Sequence, residues 1–129
     1  MHKTFLVVGA LSGALAVSLG AFGAHGLKQI VSAADVAVFQ TGVQYQMYHT
    51  LALMLLAIVY ERLPSRWITT SAYLFACGVL FFSGSLYLIT ALKAKGVVVP
   101  SLVGLITPVG GLCFITGWLC FLIGVLRRR

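Results

Sequence analysis

The sequence predicts an all-α integral membrane protein, a bundle of four transmembrane helices with both termini in the cytoplasm. Three observations predict it. Of 129 residues, 60% are hydrophobic and 9% charged, and the mean hydropathy is +1.05, a balance outside that of soluble domains. The apolar residues gather into four runs, each near the roughly 20 residues that a helix needs to cross the hydrocarbon core. The basic residues fall between those runs and not on one face.

The first span covers about residues 4–24, after Lys3 and before His25 and Lys28. Met1-His2-Lys3, with small residues from Ala21 to Ala24 at the far end, is also the outline of a cleavable signal. The length of the run and the spans that follow favour its retention. Ser32, with Asp35 three positions on, fits a capping box and opens a helix whose first turns, about 32–41, form an interfacial lead-in. The second span follows at about 42–60, and the whole helix is about 43 Å long at 1.5 Å per residue. Pro64 and the charges of Glu61, Arg62 and Arg66 keep the next turn out of the hydrocarbon. The third span, about 67–92, begins at Trp67, at the level of an interfacial aromatic belt. The fourth, about 101–126, follows a loop with Lys93, Lys95, Gly96 and Pro100, and stops at Arg127-Arg128-Arg129, a charge costly to place in lipid. Lys3, Arg62, Arg66 and the three terminal arginines oppose Lys28, Lys93 and Lys95, and this bias places both termini in the cytoplasm. The chain from 1 to 129 thus reads as a single four-helix membrane domain of the cell membrane, of the bacterial inner membrane type.

Composition also removes function classes. The net charge of +7 is scattered, which disfavours nucleic acid. Asp35 and Glu61 are the only acids, so neither an acidic metal cage nor a carboxylate pair is expected. Cys77, Cys113 and Cys120 sit inside spans without a CxxC, which disfavours thiol exchange. No metal, no cofactor and no catalytic residue is expected, and the lipid bilayer is the one certain partner.

Helix-packing residues are read from spacing. Gly9 and Gly13 form a GxxxG, and Gly110, Gly117 and Gly124 recur every seven residues. The sharper reading of these seams is a glycine-lined self-association face, and with it a homo-oligomer, or a narrow pore. Pro108 leaves the carbonyl of Gly104 without its helical partner and predicts a kink. Ser83, Gly84 and Ser85 form a comparable soft spot, so Ser83, Ser85, Thr107 and Pro108 are offered as lining or hinge. At about 100° per residue Gln44, Tyr45, Tyr48 and His49 share one arc of the second helix. His25, on the same side of the membrane, completes a candidate polar pocket with them. Such a pocket is either a register-fixing network or a site for protons, ions, a metal, a haem, a polar headgroup or another polar small molecule, two histidines alone being a weak metal signal.

The segments Gly20-Ala21-Phe22-Gly23-Ala24-His25-Gly26-Leu27, Tyr45-Gln46-Met47-Tyr48-His49, Phe82-Ser83-Gly84-Ser85-Leu86-Tyr87 and Thr107-Pro108-Val109-Gly110-Gly111, with Gly117-Trp118, occur in that order. Together they resemble the small membrane family called domain of unknown function 423, related to transmembrane protein 256. The resemblance covers nearly the whole chain and implies a multi-pass protein of the bacterial cell envelope, with no established activity, substrate or cofactor to carry over. The leading expectation is a non-enzymatic protein acting through helix packing, self-association or a membrane partner. The alternative is a small conduit or binding site that uses the histidine, tyrosine and glutamine pocket; an enzyme has the least support, since no nucleophile pair, phosphate loop or metal motif is present.

Overall fold

Ser32 and Asp35 show how local chemistry sets the helix ends. In the computed structural model, which describes residues 2–127, Ser32 Oγ accepts the Asp35 N–H at 3.2 Å and donates to Asp35 Oδ2 at 2.8 Å. Met1, Arg128 and Arg129 lie outside the described residues, and with them two of the charges that enter the orientation count. Helix α1 spans His2–Ala24, a short 3-10 turn covers Leu27–Gln29, and α2 runs Ala33–Arg62, so lead-in and second span are one unbroken helix. Ser65 caps α3 (Arg66–Gly78) by accepting the Trp67 N–H at 3.2 Å. The soft spot takes the form of a π-helical turn, Val79–Ser83, which joins α3 to α4 (Gly84–Ala94) within one 29-residue span. After α4, the Gly96 N–H donates to the Lys93 carbonyl and the Val97 N–H to that of Leu92, a Schellman ending that requires the positive φ of +67° at Gly96. Helix α5 runs Ser101–Leu126 and is assigned as helix straight through Pro108.

The helices alternate in direction and pack in chain order. On α1 a narrow stripe of Phe5, Gly9, Ala16 and Gly23 is buried. Gly9 lies against Met54 of α2, Gly20 against Val43 and Gly23 against Gln40. On α5 the sevenfold seam faces the third span. Gly110 lies on the backbone of Phe82, a Cβ on Gly117 would sit 2.7 Å from the Phe75 ring, and one on Gly124 would sit 2.8 Å from Ile68. Both seams are therefore consumed inside the protomer. This corrects their reading as a self-association face, because small residues admit a neighbouring backbone only once.

The interior is layered. Toward the arginine-bearing end, Phe5, Leu53, Leu56, Ala57, Ile68, Phe75 and Phe114 form the main apolar core. Toward the lysine-bearing end, Leu27, Phe39 and Val43 form a smaller one, closed by an ion pair of Lys93 Nζ with Asp35 Oδ1 at 2.7 Å. Gln46, His49, Thr50, Ser83 and Ser85 are buried in the tier between, with Ser71 and Thr90 buried on either side of it.

Overpacking tests the α5 seam. Gly110→Ala is expected to destabilise by about 1–3 kcal/mol, because its Cβ meets immovable backbone. Gly104→Ala, whose Cβ meets nothing within 4 Å, should be neutral or stabilising by up to ~1 kcal/mol. Unfolding in mixed micelles by added sodium dodecyl sulphate measures both.

Candidate functional site

Helix α2 carries the polar tier, and its buried face is set by a spacing of three and four: Phe39, Gly42, Val43, Gln46, His49, Thr50, Leu53 and Leu56. Gln44, Tyr48, Leu51, Leu55 and Ile58 form the opposite, outward stripe. The five-residue pocket expected from the sequence is consequently not assembled. His49 is 5% exposed, but Gln44 and His25 are exposed, Tyr48 is 59% exposed and Tyr45 is 39% exposed. Nor do the two histidines approach. Antiparallel pairing brings Ser12 beside Gln46 and Thr50, and Gly20 beside Gln40, so His25 lies about 20 Å along α1 from the His49 level. An arc of 140° is wide enough to hold both a buried and a lipid-facing edge, which is why the sequence grouped them.

What the structure brings together is different. Gln46 Nε2 donates to the Ser12 carbonyl at 3.0 Å and lies 3.4 Å from Ser12 Oγ, while Gln46 Oε1 accepts the Tyr87 hydroxyl at 2.6 Å. Ser12 Oγ in turn bonds Thr50 Oγ1 at 2.6 Å. One chain of hydrogen bonds thereby ties α1, α2 and α4. Tyr87 and Ser12 were not singled out from the sequence. The signal that points to Gln46 is its place in the α2 packing period.

The soft-spot residues are structural ties as well. Ser83 Oγ donates to the Gly42 carbonyl at 2.6 Å, Ser85 Oγ to that of Phe82 at 2.8 Å, and Ser85 also bonds Thr107 at 2.6 Å. These bonds surround the π-helical turn, where widened backbone needs side-chain partners. Pro108 is exposed and turns away from them. Below, Ser71 Oγ donates to the Gly117 carbonyl at 2.7 Å.

His49 is held at both nitrogens and on one ring face. Its Nδ1 lies 2.8 Å from the Tyr45 carbonyl and its Nε2 accepts the Trp118 indole N–H at 3.2 Å. That pairing assigns the proton to Nδ1 and leaves the ring neutral, with both nitrogens engaged. Phe114 stacks on the ring at 3.5 Å and 9°, and Phe75 meets it edge-on at 5.2 Å. Among the described residues, no three of His, Cys, Asp and Glu gather as metal ligands, and no buried side-chain nitrogen or oxygen lacks a hydrogen-bond partner.

A groove opens beside this tier because α1 leans on α2 and meets α3 through Phe5 and Tyr73, with ring centroids 5.2 Å apart. Two adjoining hollows of about 310 and 380 Å³ share Val8, Ser12, Val79 and Leu80. Their walls are apolar, with Leu11 and Leu15 of α1 facing Leu80, and their floor carries Gln46, His49 and Thr50. The hydroxyl and amide groups of that floor are bonded within the protein and nearly covered, so the groove presents an apolar surface to the lipid side at mid-bundle depth.

The network has an energetic signature. Gln46→Leu should destabilise by about 1–3 kcal/mol, since Tyr87 and Ser12 lose their partner. Combined with Tyr87→Phe in a double-mutant cycle, it should show a coupling of ~0.6 kcal/mol, and at most about 1.7 kcal/mol, as for other interhelical bonds in membranes.

Comparison with known proteins agrees with the four-helix membrane architecture. A family described as protein of unknown function (DUF423) matches residues 19–111. The UPF0382 membrane protein YwdK of Bacillus subtilis is 39% identical over 126 residues, 97% of this chain and 98% of that one. The UPF0382 inner membrane protein YgdD of Escherichia coli (strain K12) is 40% identical over 127 residues, 98% of this chain and 92% of that one. No solved structure matches. A family match over most of the chain, with relatives at about 40% identity aligned almost end to end, leads to one conclusion: this multi-pass membrane protein belongs to the DUF423 family.

Proposed function

We propose that the protein is a non-enzymatic binding module of the bacterial inner membrane, whose groove between α1 and the third span receives one face of a partner's transmembrane helix. The carrying observation is an apolar groove, open to the lipid, whose third-span wall is low enough for a second helix to lie against it. Gly84 and Ala76 keep the third-span wall low, and a Cβ at Gly84 would meet nothing within 4 Å. Both glycine seams are buried inside the protomer, and the groove is a mid-bundle recess still open to such a neighbour.

Other readings have less support. A conduit needs a continuous polar path, and Leu53, Leu56, Ala57, Ile68 and Phe75 close the bundle on the arginine side. Acid–base chemistry needs a group with a free site, and both nitrogens of His49 are taken. The membrane assignment to the inner type follows the name of the Escherichia coli relative. Orientation follows the Lys and Arg bias, with the termini in the cytoplasm.

Two experiments test this reading. A photoreactive residue at Leu80, on the groove wall, should give a discrete protein adduct in native membranes, and Gly84→Phe should abolish it. The same probe at Leu122, on the lipid face of α5, should give lipid adducts alone. Lipid adducts alone at Leu80 would sink the helix proposal, and an adduct of twice the chain mass would replace it with self-association. For orientation, alkaline phosphatase fused after Arg129 should be inactive and fused within the loop after Gly96 should be active; the reverse pattern overturns the assignment.

A further inference from the structure

The bundle ends differ in the kind of charge they carry. At one end are Lys28, Lys93 and Lys95, with Lys93 paired to Asp35. The other end has Lys3, Arg62, Arg66 and Arg127, with Arg128 and Arg129 next in the sequence, against the single carboxylate of Glu61. Whatever Glu61 engages, that end keeps a large positive excess.

Two of its arginines reach the same indole. Gly124 lets the last turns of α5 lie against the start of α3, since a Cβ there would sit 3.3 Å from Trp67 Cβ. Arg127, three residues on and so on the same helical face, then reaches over the Trp67 indole, with Cζ 5.3 Å from the ring centroid. Arg66 approaches the same ring to 5.6 Å. Both guanidiniums stay exposed while the indole is half-buried. Like charges held on one ring repel unless an anion sits between or beside them, and the ring holds each planar fork in place.

From this juxtaposition we propose that Arg66, Trp67 and Arg127 form a binding site for the phosphate of an anionic phospholipid. Trp67 opens the third span, so the site lies at headgroup depth, where the neighbouring molecules are lipids. A guanidinium fork matches a phosphate through paired hydrogen bonds, whereas lysine offers only a point charge. This distinguishes a built site from the diffuse attraction of any basic end to an anionic leaflet. The inference stands apart from the groove, which lies at mid-bundle depth.

The sequence has two tryptophans, so Trp118→Phe leaves Trp67 as the sole reporter in the full chain. Reconstituted in phosphatidylcholine, this variant is quenched by small, equal fractions of chain-brominated phosphatidylglycerol or chain-brominated phosphatidylcholine. Quenching should report about fivefold enrichment of the anionic lipid at Trp67, the factor expected from one well-placed basic contact. Arg66→Lys with Arg127→Lys, which keeps the charge, should remove the enrichment, Arg62→Lys should not, and added inorganic phosphate should leave it in place. Equal quenching by the two lipids, enrichment that survives the double lysine variant, or its loss to inorganic phosphate would overturn the site. Native mass spectrometry of the unaltered chain gives a measure free of the Trp118 change. One phosphatidylglycerol retained through detergent exchange is expected, and none retained, or equal retention of phosphatidylcholine, would overturn the proposal.

Discussion

A polar side chain inside hydrocarbon must find its hydrogen bonds within the protein, and Gln46 is where that constraint organises this bundle. It is 2% exposed, and its amide has one end on Ser12 of α1 and the other on Tyr87 of α4. Moving either helix by a turn, about 5.4 Å, would strand the end of the amide bonded to it. Shape alone gives α1 little register, because its buried stripe is narrow and mostly small residues. The amide supplies the register that knobs and holes leave loose, and Ser12 with Thr50 extends it. The serine ties to Gly42, Gly117 and Thr107 do the same for the third span and α5.

Elements that depend on local chemistry were legible in the sequence. The four spans, the Ser32 and Asp35 cap, the breaking role of Pro64 and the glycine seams rest on hydropathy, caps and spacing, which act over a few residues. The soft spot at Ser83 to Ser85 was legible as a weakness but not as a π-helical turn, because that form depends on which neighbours accept the freed backbone. The polar pocket was less legible. When lipid and protein interior are both apolar, hydrophobic periodicity barely separates the two faces of α2, and tyrosines are accepted on either. Gln46 rather than Gln44 is buried because Gly42, Val43, His49 and Thr50 share its face, and Tyr87, its partner, is 41 residues away.

His49 illustrates the same limit from the chemical side. An intramembrane histidine invites a functional reading. Here the Tyr45 carbonyl, the Trp118 indole and the face of Phe114 occupy its two nitrogens and one ring face, which makes it a joint between α2 and α5. In the sequence Phe114 reads as an ordinary apolar position of the fourth span and Trp118 enters only through the family resemblance, and nothing local links either to residue 49.

The π-helical turn has a consequence for how this chain tolerates change in length. Such a turn amounts to one residue more than an α-helix of the same rise would hold. Removing a single residue from Val79–Ser83 would restore an α-helix of nearly the same rise and phase. Ser85 would stay beside Thr107 and Tyr87 beside Gln46. The widened turn is thus a slack in the count: it absorbs one residue without turning the two halves of the third span against each other, and the same loss elsewhere in the span would turn everything beyond it by about 100°.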